Sequence, residues 1–323
     1  MARTRVYRNG VLESEDFPVE QVSDYLEDSA CVVWVDVCAP DRHDLEVIAE
    51  ELQLHHLALE DAVNEHQRPK LDRYESHLFI SAYEVDLDTE TGELSKDEVS
   101  AFVTQRALVT VRKRESFDID DVVRRWDDSA DLAKYGVSFL LHGLLDHVVD
   151  TYFTSIQALD EHIEELEDLL FDNRPQDATV QRRTFEMRKS LVLMRRIVLP
   201  MREVVNAVMR RDLKIVDDAM APYYQDVYDH VLRATDWTDS LRDLVTTILE
   251  THLTIQGNRL NTIMKQVTSW AAIIAVPTAI TGFYGQNIPF PGYEHYWGFI
   301  VSSVLIAVLS VTLYITFKRN DWL

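Results

Sequence analysis

This chain is short of cysteine, glycine and basic residues, and its first two-thirds hold no hydrophobic run long enough to cross a bilayer. Only two cysteines occur in 323 residues, Cys31 and Cys38. Their spacing matches no zinc site, and both sit in an apolar, strand-like run, so they read as reduced core residues. The opening MARTRVYRNGV has no apolar core segment, so no secretory signal is expected there. A nucleotide-binding glycine loop, a His-Glu metal motif and a nucleophile elbow are all missing, which argues against an enzyme. Lys and Arg number 32 against 55 Asp and Glu, for a net charge of -23. So acidic a soluble part excludes nucleic acid and anionic lipid as its partners. Beside a pore the same charge would concentrate cations, and elsewhere it serves solubility; composition does not choose.

Long apolar runs arrive only at the C-terminal end. Ser269 to Asn287 reads SWAAIIAVPTAITGFYGQN, and Trp297 to Phe317 follows a short polar loop. A bilayer core of about 30 Å takes roughly 20 apolar residues per helix. The second run meets that, and the first does if its helix enters near Met264. Two such helices make a hairpin with both ends on one side. The loop from Ile288 to Tyr296 carries no Lys or Arg, whereas Lys265, Lys318 and Arg319 flank the hairpin. The positive-inside bias then predicts a multi-pass protein of the inner or plasma membrane with both termini cytoplasmic, and membrane lipid as a partner.

Upstream, strand-like and helix-like patterns alternate to about residue 118. Cys31–Val37 reads as a strand and Asp41–Leu52 as a helix with Asp41 at its N-cap. Leu78–Val85 and Val99–Val111 read as strands separated by the turn Asp88–Gly92. From Gly136 the pattern turns helical. An acidic stretch, Leu159–Asp168, is followed by a break at Asn173-Arg-Pro175 and a basic returning helix, Thr179–Arg211. This predicts a charge-paired antiparallel hairpin with a kink at Pro200. From Tyr223 nothing forces a break before Pro277, which a membrane helix tolerates. One helix from Tyr223 to Tyr284 would be about 90 Å long. It must pack on copies of itself or on the preceding hairpin, and a two-helix membrane hairpin is too small to enclose a pore. Both points predict a homo-oligomer.

Along that helix Asn261, Met264, Val267 or Thr268, Ala271, Ala275, Thr278 and Gly282 recur at three- and four-residue steps, on one face. No charged side chain interrupts the apolar stretch. In a ring of such helices this face would give an apolar neck and then a small-residue lumen of hydroxyl and amide oxygens, a lining suited to a hydrated divalent ion. Asn287 would close its outer end.

At Tyr284-Gly285-Gln286-Asn287 the sequence resembles the CorA family of divalent-cation channels, which carries Tyr-Gly-Met-Asn at this point. Leu54-His-His-Leu-Ala-Leu-Glu-Asp61, Gln67-Arg-Pro-Lys70, Asp97-Glu-Val-Ser100, Tyr223–His230 and Lys318–Leu323 resemble it too, so the likeness runs close to full length. It implies an α+β cytoplasmic domain with a long-helix stalk and two C-terminal transmembrane helices, assembled as a homopentameric funnel. The boundaries expected are 1–118 for the α/β domain, 119–221 for a helical hairpin region, 222–263 for the stalk and 264–286 for the pore-lining helix. The outer loop follows at 287–296, the second helix at 297–317 and a basic tail at 318–323. By resemblance Tyr284, Gly285, Gln286 and Asn287 form the selectivity filter. Asn261, Met264, Val267, Thr278 and Glu250 line the pore and gate. Asp61 faces Asp226 of a neighbouring subunit in a magnesium sensor, and Glu60 and Asp146 belong to a second, nearby site. Magnesium is implied as both transported and regulatory ion, with no other cofactor.

Three departures from the family pattern stand out. Gln286 replaces Met. The outer loop lacks Met-Pro-Glu-Leu and holds only Glu294 as a charge. Asp321 interrupts the basic tail. The resulting expectation is a channel for magnesium, with cobalt or nickel, gated by cytoplasmic magnesium. The alternatives are a zinc transporter of the same fold and a membrane-anchored helical scaffold.

Overall fold

The computed structural model describes residues 2–64, 68–170, 177–210, 215–286, 289, 291–293 and 295–323. The chain divides into two units, Met1–Ile248 and Leu249–Leu323.

The first unit is built on a seven-stranded sheet of order β2-β1-β3-β7-β6-β5-β4. Its strands are β1 Ala2–Arg8, β2 Val11–Glu15, β3 Cys31–Cys38, β4 Lys70–Arg73, β5 Leu78–Leu87, β6 Leu94–Val103 and β7 Ala107–Arg112. Neighbours run antiparallel except β3 and β7, which are parallel. The strand expected from Val99 to Val111 is two strands, β6 and β7. The chain reverses at Thr104-Gln105-Arg106, where the Thr104 hydroxyl oxygen accepts from the backbone N–H of Ala107 at 2.8 Å. A Thr side chain can close such a turn without Gly or Pro.

Alternation along the central strands separates two cores. Val33, Val35, Val37, Ala107, Val109 and Val111 face one side. There they meet α1 (Val22–Glu27), α2 (Arg42–Leu52) and α3 (His56–Val63). Asp41 caps α2 through a capping box with Asp44, as its position suggests. Trp34 and Leu108 face the other side, against α4 (Ile119–Asp128) and α5 (Val137–Leu170). Trp34 and Trp126 pack edge to face with ring centres 5.0 Å apart. The Trp126 indole donates to the Leu140 carbonyl at 3.1 Å. Gly143 makes that approach possible, since a Cβ there would sit 2.4 Å from Trp126 Nε1. Asp36 and Arg112 tie β3 to β7 inside this layer at 2.6 Å, with Thr110 donating to the same carboxylate at 2.7 Å.

Helices α5 and α6 (Asp177–Val208) form the expected hairpin, and α6 runs through Pro200 without ending. The force that joins them differs from the expectation. Ile156, Leu159, Ile163 and Leu166 are buried with Val180, Met187, Leu191 and Met194 in one apolar seam. The described ion pair between the two helices, Arg183 with Glu165, spans 3.8 Å with both side chains about half exposed. Much of the charge on α6 faces elsewhere, as in the pair from Arg195 to Asp239 at 2.8 Å. Helix α7 (Ala221–Tyr284) follows as one element. Its first turns dock through Tyr224, whose hydroxyl donates to the Ser138 carbonyl at 2.8 Å.

The second unit holds the remainder of α7 and α8 (Tyr296–Arg319). Both are long and apolar enough to cross a membrane. Trp270 and Tyr314 meet between them with ring centres 6.5 Å apart. At the start of α8, Gly298 lies against Gly292, so closely that a Cβ on Gly298 would come within 2.5 Å of the Gly292 carbonyl oxygen.

Candidate functional site

The face of α7 singled out by spacing is open along its length. Asn261, Met264, Val267, Thr268, Ala271, Ala275, Thr278 and Gly282 are all exposed. The opposite face is covered: Ser269 is buried, and Lys265, Ala272, Ile273, Val276 and Ile280 are half-buried. Helix α8 therefore covers one side and leaves the expected pore face free. Met264 and Val267 are 63% and 60% exposed, a large apolar area for water to meet in a lone chain. The Thr278 hydroxyl donates to the Ile274 carbonyl at 2.9 Å. Its proton is thus committed to the backbone, and only lone pairs point outward, which is the polarity a cation needs. Glu250 is exposed, more than four turns before the uncharged stretch that follows Lys265.

Tyr284 ends the helix. The Gly285 N–H bonds the Thr281 carbonyl at 2.8 Å, and a Cβ on Gly285 would press to 3.0 Å from that oxygen. Gln286 is exposed beyond it. Asn287 and Glu294 lie outside the described residues, as do Gln67 and the expected break at Asn173-Arg-Pro175.

The carboxylates expected to form the sensor fall into two groups in the first unit. Glu60 and Asp61 lie on α3. Glu60 is exposed beside a cleft of about 480 Å³ lined by Leu45, His56, Leu59 and Val63. Asp61 is engaged by Lys70 Nζ at 2.6 Å, and Lys70 also meets Asp72 at 2.8 Å. His55 starts this helix, its Nδ1 accepting from the Leu57 N–H at 3.3 Å.

Asp146 and Asp226 lie on α5 and α7. Asp226 is 68% exposed on its side chain and stands 3.8 Å from His230 Nε2. Asp146, Asp150 and His230 bring donor atoms within 4.8 Å of one another. His230 Nδ1 is buried without a partner among the described residues. Two carboxylates make a hard oxygen set that fits magnesium, and the imidazole adds affinity for cobalt or nickel. Arg125 reaches the same carboxylates, with Nη1 at 3.1 Å from Asp146 and 2.7 Å from Asp150. Burial pushes the Asp146 carboxyl above its usual pKa, helped by the Asp150 charge and opposed by His142, Arg125 and His230. Burial lowers the His142 pKa, against the pull of Asp146 and Asp226.

The structure thus brings Asp146 near Asp226 through the histidines between them, and separates both from Glu60 and Asp61. Helix α3 packs on one face of the sheet and α5 on the other. Asp150, His230, Arg125 and Lys70 were not singled out from the sequence as parts of these groups. The four-residue spacings of Asp146 with Asp150 and of Asp226 with His230 were the available signal, since each pair must share a helix face. Arg125 and Lys70 arrive from α4 and β4, which no local spacing reveals.

Comparison with known proteins covers the same span. The family described as CorA-like Mg2+ transporter protein matches residues 29–319. The cobalt/magnesium transport protein CorA of Thermotoga maritima is 31% identical over 98% of this chain and 92% of that protein. The zinc transport protein ZntB of Yersinia pestis is 22% identical over 80% of this chain and 78% of that one. Among solved structures, the complete CorA magnesium transporter of Methanocaldococcus jannaschii aligns with a TM-score of 0.79 at 21% identity, covering 100% of this chain and 99% of that one. With a family match over most of its length and that degree of identity to a full-length relative, the chain belongs to the CorA-like Mg2+ transporter family.

Proposed function

We propose that this protein is a magnesium channel that also passes cobalt or nickel. It works as a homopentamer in the inner or plasma membrane, with α7 lining the pore and α8 outside it. It is a transporter rather than an enzyme. The observation that carries this reading is the open, uncharged face of α7 from Asn261 to Gly282, backed by α8 on the opposite side. Copies placed around an axis would bury Met264 and Val267 as an apolar neck, the kind of constriction that gates by dewetting. Thr278 and Asn261 then offer oxygen above and below it. Tyr284, Gly285, Gln286 and Asn287 form the filter at the outer end, and Glu250 a ring of charge on the cytoplasmic side. A doubly charged ion moving inward gains about 4.6 kcal/mol per 100 mV, so no other energy source is required.

In this reading intracellular magnesium closes the channel by binding between subunits, Asp61 of one with Asp226 of the next, and Glu60 with Asp146 nearby. Facing carboxylates repel unless a cation lies between them, so the ion favours the joined, closed arrangement. The sheet supports a site shared between copies, because it stands between the two groups within one chain.

A second reading has its own support. The likeness to a zinc transport protein supports zinc as cargo, while Gln286 departs from the magnesium pattern without choosing between the two ions. Divalent flux into proteoliposomes separates the two, with magnesium or zinc outside and internal magnesium raised from nil to the order of tens of millimolar. Magnesium influx that falls as internal magnesium rises, and persists longer in Asp226→Ala, is the expected result. Zinc influx indifferent to internal magnesium would establish the second reading, and no flux of either ion would reject both.

A further inference from the structure

Each of the two carboxylate groups read as the sensor already has a cation of its own. Lys70 stands on Asp61 at 2.6 Å and on Asp72 at 2.8 Å. Arg125 stands on Asp146 at 3.1 Å and on Asp150 at 2.7 Å, and its Nε holds Asp121 at 2.9 Å. Neither arrangement is a by-product of helix spacing at the sensor residue. Lys70 comes from β4 to α3, and Arg125 from α4 to α5. Both basic side chains are substantially covered, with 22% and 34% of their surface exposed. Burial disfavours the Lys70 charge, but its bonds to Asp61 and Asp72 outweigh that and hold its pKa above the usual value.

A divalent ion and a basic side chain compete for the same carboxylate oxygens. An ion that takes Asp61 or Asp146 as a ligand must draw an oxygen away from Lys70 or Arg125, or share it with them against like-charge repulsion. We infer that Lys70 and Arg125 are tethered competitors of the regulatory ion, and that they set the concentration at which intracellular magnesium closes the channel. This inference rests on reading Asp61, Asp226, Glu60 and Asp146 as the sensor. It makes the sensor an exchange of cations rather than the filling of a bare acidic cleft. When magnesium leaves, the side-chain cations return to the carboxylates and limit their mutual repulsion. The threshold becomes a property of two residues that never need touch the ion.

The test uses the full chain and magnesium alone as the probe. Wild type, Lys70→Gln, Arg125→Gln, Lys70→Arg and Arg125→Lys are compared by two readouts. One is the internal magnesium that halves influx into proteoliposomes. The other is the magnesium needed for half of the rise in thermal unfolding midpoint of the detergent-solubilised protein. Pairs that stay partly exposed offer only a modest competition, so each Gln variant should lower both concentrations roughly three- to fivefold. The charge-retaining variants should stay within about twofold of wild type. Gln variants that respond at wild-type or higher magnesium, beside a wild type that does respond, overturn the inference while leaving the sensor in place. If wild type and Asp61→Asn respond alike, the sensor reading fails and the inference falls with it. Should Arg125→Gln not fold, Lys70→Gln decides the matter alone, since its pair lies at the surface of α3.

Discussion

His77 is a base held in a place that suits only its neutral form. It is 4% exposed, stacked on Tyr74 at 4.9 Å and near Phe102 at 5.7 Å. Its Nδ1 meets the Ser76 hydroxyl at 2.9 Å, and its Nε2 has no partner among the described residues. Burial, with a smaller push from His55, lowers its pKa to about 4. The folded chain therefore binds fewer protons at this ring than the unfolded chain does. Stability from it is complete above the unfolded pKa of about 6.5 and declines as pH falls towards about 4. Between pH 7 and 4.5 the loss is on the order of 2–3 kcal/mol. Thermal unfolding of His77→Phe and wild type between pH 7 and 4.5 checks this (about the window in which the two protonation states exchange). The variant should lose less stability on acidification, and parallel pH profiles would show that His77 is not the group responsible.

Elements were legible in the sequence to the extent that their apolar pattern stood alone. Helices α7 and α8 needed only an absence of breakers and a long apolar run, and their observed limits fall within a few residues of those expected. Strands β1 and β2 escaped because β2 is largely exposed and β1 buries Thr4 and Arg5 among its apolar residues. Strands β6 and β7 merged because the turn at Thr104–Arg106 lacks the usual turn residues. The α5–α6 hairpin was legible as a hairpin, but its charges misled as to its cause. Exposed ion pairs contribute less than about 1 kcal/mol, whereas a buried Leu or Ile cut back to Ala costs about 2–5 kcal/mol. Ile163 and Leu191 have no exposed surface. Ile163→Ala or Leu191→Ala should therefore lower thermal stability strongly, and Arg183→Ala by less than about 0.5 kcal/mol. An Arg183→Ala loss equal to that of Leu191→Ala would return the hairpin to its charges.

At the scale of the whole molecule, one chain is an incomplete object. The uncharged face of α7 is open, and apolar side chains such as Met264, Val267 and Ile274 stand more than half exposed on that helix. The carboxylates matched to the sensor sit on opposite faces of one sheet. If the ion lies between copies, each site takes Asp61 from one subunit and Asp226 from its neighbour, a head-to-tail contact that closes into a ring. Co-assembly tests this without any structure of the complex. Chains carrying Asp61→Asn supply only good Asp226, and chains carrying Asp226→Asn supply only good Asp61. Neither variant alone can build an intact pair. In a random equal mixture about a quarter of the head-to-tail contacts join the two unaltered residues. The mixture should then regain part of the inhibition by internal magnesium that both parents lack, measured as influx into proteoliposomes at a fixed total of protein. A site formed within one chain gives the opposite result, because every chain in the mixture carries one lesion and no neighbour can repair it. A mixture as insensitive as its parents would therefore place the regulatory ion inside the subunit and remove the reason for the sensor to depend on assembly.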